Sequence, residues 1–194
     1  MDFVGLDLET ANADPATICQ IGIATVQTAR ITHVWTQLVQ PAARFDRHHT
    51  AIHGITADIV KGAPGFAEIY AELERRLSEI VVTHTRFDVA ALTQACRRER
   101  LPMFRRRWLD SSRIASIAWP GRFPRGARGL RVIAGDLGIT FRHHDAGEDA
   151  RAAAEIALRA TASAGMSLTK LAGNPDLLGR PGRSGRRRGV GATA

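Results

Sequence analysis

Three strand-like stretches crowd into the first forty residues and leave little room between them. Residues 3–10, 17–27 and 31–40 are each rich in apolar and β-branched side chains, and short polar turns join them. A parallel crossover needs a dozen or more residues, so neighbours this close must pair antiparallel. Pro41 closes the meander. The pattern then changes. Phe66, Ile69, Tyr70, Leu73 and Leu77 fall on one helical face, and the β-branched run Ile80 to Thr83 follows as a short strand. A helix through about Cys96, a strand over 105–109 and a helix from Asp110-Ser111-Ser112 to Ala118 repeat the alternation. A meander followed by helix–strand units predicts an α/β fold with a mixed five-stranded sheet and helices on both sides.

Smaller elements complete the expectation. Thr56 is placed to cap a short helix over 57–60. Leu130, Ile133, Ala134 and Leu137 predict a one-faced helix stopped by Gly138. An Ala-rich helix opens at Asp149 and runs to about Ala162. From 172 to 194 the sequence is rich in Gly, Pro and Arg, has no periodicity, and reads as a disordered tail behind a folded domain of residues 1–171.

Composition narrows the function classes. No run of 18 or more apolar residues occurs, and the N-terminus lacks a basic start and apolar stretch, so the expected location is the cytoplasm, with no membrane contact. The formal net charge is +8, which suits an anionic partner such as nucleic acid. Half of it comes from the tail, with five Arg against one Asp, which reads equally as a tether for nucleic acid or as an inert terminus. Cys19 and Cys96 sit in apolar surroundings without a C-x-x-C pattern, which predicts buried free thiols.

The first strand ends in two acids. Side chains alternate along a strand, so Asp7 and Glu9 point the same way, at the carboxyl end where α/β sheets collect ligands. Like charges about 6–7 Å apart repel unless a cation lies between them. Asp88 stands where a strand hands over to a helix, Asp149 where the last helix starts, and His144 five positions before Asp149. Taken singly, Asp88 and Asp149 are better read as helix-capping acids, and His144 as a surface loop histidine.

Taken in order, the motifs carry more. Asp7-Leu8-Glu9-Thr10, then Ile18-Cys19-Gln20-Ile21-Gly22, His53-Gly54-Ile55-Thr56, Thr83-His84-Thr85-Arg86-Phe87-Asp88 and His144-Asp145-Ala146-Gly147-Glu148-Asp149-Ala150 occur at telling separations. In these the chain resembles the DEDD exonuclease superfamily, in the histidine-bearing branch that includes the proofreading subunit of bacterial replicative polymerases. The resemblance runs from about Phe3 to Ala162. The second motif departs from the pattern, with Thr83 and His84 where His and Asn are commoner. Asp145 stands where the sister branch has tyrosine.

The resemblance implies an RNase H-like fold and metal-dependent 3′→5′ removal of nucleoside 5′-monophosphates; family members act on DNA, RNA or both, and DNA is the leading expectation. Two divalent ions, Mg²⁺ or Mn²⁺, are implied as cofactors, which suits hard oxygen ligands. Asp7 would bridge both ions, Glu9 and Asp149 would complete one, and Asp88 would serve the other. His144 would be the general base. Leu8, Thr10, His53 and Phe87 are the candidates for gripping the terminal nucleotide. The implied partners are a single-stranded 3′ end and a DNA polymerase or repair complex. An exoribonuclease of the same fold, an RNase H-type endonuclease and a non-catalytic nucleic-acid-binding module are the rival readings. His143 is expected to turn away from His144, because neighbouring side chains diverge in an extended loop.

Overall fold

The computed structural model describes residues 2–168 and 170. The expectation for the tail, 172–194, lies outside them. Strands β1 (Phe3–Thr10), β2 (Ile18–Gln27) and β3 (Arg30–Leu38) form the antiparallel meander. After α1 (Arg47–His53) and α2 (Phe66–Arg76) come β4 (Ile80–Thr83), α3 (Phe87–Arg98) and β5 (Arg107–Asp110). Helices α4 (Ser111–Ala118), α5 (Leu130–Asp136) and α6 (Ala146–Ala164) finish the fold. The sheet order is β3-β2-β1-β4-β5, with β4 and β5 parallel to β1. The mixed five-stranded α/β sheet is therefore as the sequence predicts.

Strand β1 lies at the centre because both of its faces are apolar enough to bury. Val4, Leu6 and Leu8 pack with Phe66, Ile69 and Leu73 of α2 and Ala91, Leu92 and Ala95 of α3. Phe3 packs on the other face with Ala154, Ala157 and Ala160 of α6. Cys19 and Cys96 are free and buried, and burial pushes their thiols up to about 12 and about 11. No helix among the described residues is long and apolar enough to cross a membrane.

Contact between α6 and the sheet is closer than side chains usually allow. A Cβ added to Gly5 would lie 2.3 Å from the Ala150 carbonyl oxygen, and one added to Gly22 would lie 2.0 Å from that of Ala146. Glycine is required there because backbone meets backbone. Gly22→Ala is expected to cost about 1–3 kcal/mol or more by overpacking and to displace the start of α6. Gly135→Ala, in α5 with open space around it, should be neutral or stabilising. Denaturant midpoints of the two variants check the contrast.

Strand ends shift by up to two residues, and two helices differ from the sequence expectation. The short helix is Arg47–His53, capped by Asp46 and closed by Gly54 at φ 76°, while 57–62 is a run of turns in which Thr56 Oγ1 accepts only from the Ile59 N–H. Helix α1 buries none of its residues, so it carries no apolar period to read. Helix α6 starts at Ala146, with Asp145 as its cap, accepting from the Glu148 N–H at 3.1 Å. Asp149 therefore lies inside the first turn and does not open the helix.

Candidate active site

Gly5, Asp7 and Glu9 alternate onto the face of β1 that α6 covers. The small Gly5 lets α6 settle, and α6 then delivers Asp149 to the two acids. Oxygens of Asp7, Glu9 and Asp149 all lie within 4.8 Å of one another. Asp88 reaches the same cleft from the first turn of α3, where its Oδ1 accepts from the Leu8 N–H at 3.1 Å. The N-cap positions of α3 and α6 are held by Arg86 and Asp145, and not by Asp88 or Asp149. Both are almost fully buried, at 2% and 3% exposed.

Such a cluster is costly when empty of positive charge. Burial, then the fields of Asp88, Asp149 and Glu9, hold the Asp7 carboxyl well above its usual range. Glu9 is pushed up to about 8 by burial and by Asp149 and Asp88. Asp88 also rises to about 8, with burial first and the Leu8 N–H opposing it. Burial raises Asp149 as well, while the hydrogen bond from His143 pulls it back. Four acidic groups, mutually repelling and withdrawn from water, fit a hard divalent cation, and no thiol competes for it.

The two histidines do not diverge as the sequence suggests. Their rings stack at 3.8 Å, 23° apart, because His144 takes a left-handed backbone conformation, φ 67°, that folds the pair together. His143 Nδ1 lies 3.0 Å from Asp149 Oδ2, and its ring meets Phe141 edge-on at 5.5 Å. His144 donates its backbone N–H to the same Asp149 oxygen at 3.1 Å, and its Nδ1 faces Glu9 Oε1 at 3.7 Å. Burial and then the charge of His143 lower the His144 pKa, against the opposing field of Asp149.

The residues expected to grip substrate separate into two groups. Leu8 and Phe87 line the cleft, which has a volume of about 240 Å³, and Phe87 is 45% exposed at its wall. Thr10 and His53 stand outside that lining. His53 Nδ1 accepts from the Ile55 N–H at 2.9 Å, which leaves Nε2 to donate to the Thr10 carbonyl at 3.1 Å. Both ring nitrogens thus fasten the end of β1.

Two residues of the site have roles that the motifs alone did not give. His84 is a bolt. Its Nε2 donates to the Arg128 carbonyl at 2.8 Å and its Nδ1 accepts from Ser111 Oγ at 2.7 Å, which ties the β4–α3 loop to α4 and to the loop before α5. Gln20 Oε1 accepts from the Ala146 N–H at 3.1 Å and so holds an otherwise free donor at the start of α6. A lone amide among the inward-facing apolar residues of β2 is the signal that could have found it.

Comparison with known proteins bears on the family and the fold. The family model described as exonuclease (RNase_T) matches residues 4–157. The PolC-type DNA polymerase III proteins of Thermotoga petrophila and Thermotoga maritima are each 29% identical over 162 residues. The match covers 81% of this chain and only 12% of each polymerase. Among solved structures, Exonuclease X in complex with 5′ overhanging duplex DNA superposes with a TM-score of 0.71 at 21% identity, covering 91% of this chain and 99% of that one. The nuclease domain of 3′hExo, a DEDDh family member bound to rAMP, gives 0.67 at 18% identity, covering 81% of this chain and 89% of that one. Both share the RNase H-like fold.

Proposed function

This chain belongs to the exonuclease family, and on that footing we propose that it removes nucleoside 5′-monophosphates one at a time from the 3′ end of single-stranded nucleic acid, DNA in preference to RNA. The observation that carries the reading is the meeting of Asp7, Glu9 and Asp149 within 4.8 Å beside Asp88 and the stacked histidines. The relatives of DNA polymerase type support DNA as substrate and a polymerase or repair complex as the partner class. A non-catalytic binding module would have no use for four acids, two of them buried, that repel one another.

Asp7, Glu9, Asp149 and Asp88 would hold two Mg²⁺ or Mn²⁺ ions. Bound there, the ions supply neutralisation of the phosphoryl oxygens and a water acidic enough to ionise near neutral pH. The protein's own part is positioning and proton transfer. The lowered pKa of His144 keeps its imidazole neutral at neutral pH, and a ring nitrogen takes the proton of the attacking water. The water oxygen bonds to phosphorus, the bond to the 3′ oxygen breaks, and that oxygen is reprotonated from solvent. Phe87 offers an apolar face to the sugar or base of the departing nucleotide.

Digestion of 3′-labelled, 5′-labelled and circular DNA and RNA tests the reading. Expected are mononucleotide release from the 3′ label first, no attack on circles, and full inhibition by EDTA. Cleavage of circular substrate would identify an RNase H-type endonuclease instead. Preference for RNA would reassign the chain to the exoribonucleases.

A further inference from the structure

A cleft of about 240 Å³ takes the end of a polymer and not its length, so the rest of the substrate must leave across one wall. One wall is the loop between β4 and α3. Its far side holds a second cavity, of about 310 Å³, and Thr85 lines both. Thr85 adopts φ 75° without being glycine, and two hydrogen bonds hold it there. Its N–H donates to Asp110 Oδ1 at 3.2 Å, and its carbonyl accepts from Thr83 Oγ1 at 2.6 Å. The two cavities are thus parted by a pinned saddle one residue wide.

The second cavity follows the open edge of β5, which pairs with β4 alone. Val89, Leu109 and Trp108 give it apolar surface, and four arginines line it. Arg106 is committed to Glu74, at 2.7 Å, and to the Leu77 and Glu74 carbonyls. Arg107 pairs with Glu79 at 3.2 Å, a solvent-exposed contact of the kind that is worth little. Arg113 makes no ion pair or side-chain hydrogen bond among the described residues. Asp110 is the one acid of the lining, and its Oδ1 already accepts from Thr85 and from both donors of Ser112. Aromatic surface beside unspent guanidinium is how single strands are held without reading sequence.

We propose that this cavity receives a nucleotide upstream of the scissile bond, its base against Trp108 and its phosphate at Arg113 and Arg107. The proposal rests on the exonuclease reading and adds to it the track of the substrate strand. Continuity with the catalytic cleft favours nucleic acid over an acidic peptide, because a strand ending in the cleft passes this saddle and a peptide on the β5 edge need not.

The test separates the cavity from the chemistry. Turnover of the p-nitrophenyl ester of thymidine 5′-monophosphate reads the cleft alone, and a fluorescein-labelled single-stranded octanucleotide in Ca²⁺ reads binding without turnover. Arg113→Ala should weaken octanucleotide binding about fivefold or more, flatten its salt dependence by about 0.7 in slope, and leave ester turnover at the wild-type rate. Trp108→Leu should weaken binding by a similar factor with the salt slope unchanged, and normal ester turnover certifies its fold. Unaltered octanucleotide binding in both variants overturns the proposal, as does loss of binding to a poly-glutamate peptide in place of the oligonucleotide. If the wild type fails on the ester while Arg113→Ala still loses the octanucleotide, the exonuclease reading falls and the cavity stands.

Discussion

Asp7→Asn is expected to abolish hydrolysis in Mg²⁺ and in Mn²⁺, by about 10³-fold or more, and at the same time to stabilise the metal-free protein at pH 8. The first effect follows from losing the carboxylate that faces Glu9 and Asp149, where charge stabilisation is worth several kcal/mol. The second follows from Asp7's own carboxyl, which burial and the fields of Asp88, Asp149 and Glu9 make costly to ionise, a cost that Asn does not carry. Glu9 and Asp88 titrate near 8 in the metal-free native state, against ordinary values of 4.5 and 3.8. Between about pH 4 and pH 8 the native protein therefore keeps protons that the unfolded chain has released, so its stability falls as pH rises. For Glu9 and Asp88 that loss is complete once the pH has passed above about 8. On the proposed metal site, Mg²⁺ held by the ionised carboxylates should restore it, and the rise in Tm on adding Mg²⁺ should be larger at pH 8 than at pH 5. In Asp7→Asn the metal-free Tm at pH 8 should lie above wild type, by about 2–4 °C for each kcal/mol relieved, and respond less to Mg²⁺. Melts in EDTA and in Mg²⁺, beside a turnover assay, decide both points. Full activity in the variant would end the proposed mechanism.

His144→Ala should lower kcat by about 10²–10⁴, the usual contribution of a positioned base, and excess metal should not rescue it. His143→Ala should behave differently. Its ring hydrogen-bonds Asp149 and supports the ring of His144, so its loss disturbs a proposed metal ligand from behind. Partners of this kind cost 10–100-fold in metal affinity or activity when removed, so the variant should require more Mg²⁺ and recover much of its rate once saturated. Metal titrations of kcat for the two variants separate the roles. A His143→Ala defect that saturating Mg²⁺ leaves untouched, equal in size to that of His144→Ala, would place the proton transfer on the other ring.

The strands and the four acids were legible because each leaves a periodic or spaced trace. Val4, Leu6 and Leu8 alternate with Gly5, Asp7 and Glu9, and a period of two is written into the sequence itself. What escaped depends on backbone conformation at residues with no preference for it. Positive φ at His144 and Thr85 gives no pattern, yet the first stacks the histidines and the second forms the saddle beside the cleft. Helix α1 escaped because it buries nothing, and the start of α6 was misplaced because Asp145, its true cap, lies among other polar residues. His53 shows a further limit. Its tetrad is easily recognised, but a motif does not say which atoms its histidine engages, and here both nitrogens go to the main chain.

The seam between α6 and the sheet bears on how this sequence can drift. Gly5 and Gly22 face the Ala150 and Ala146 carbonyls across a gap with no room for a methyl group, and Ala and Gly have no rotamers with which to yield. An enlargement on one side cannot be offset by shrinking a partner, because the partner is already backbone. Mutations along this seam therefore have no compensating neighbour, and they act on Asp149 at a distance by moving the helix that carries it. The placement of one acid is set by positions that never meet the substrate, and a scan for tolerated substitutions should find those glycines as intolerant as the acids themselves.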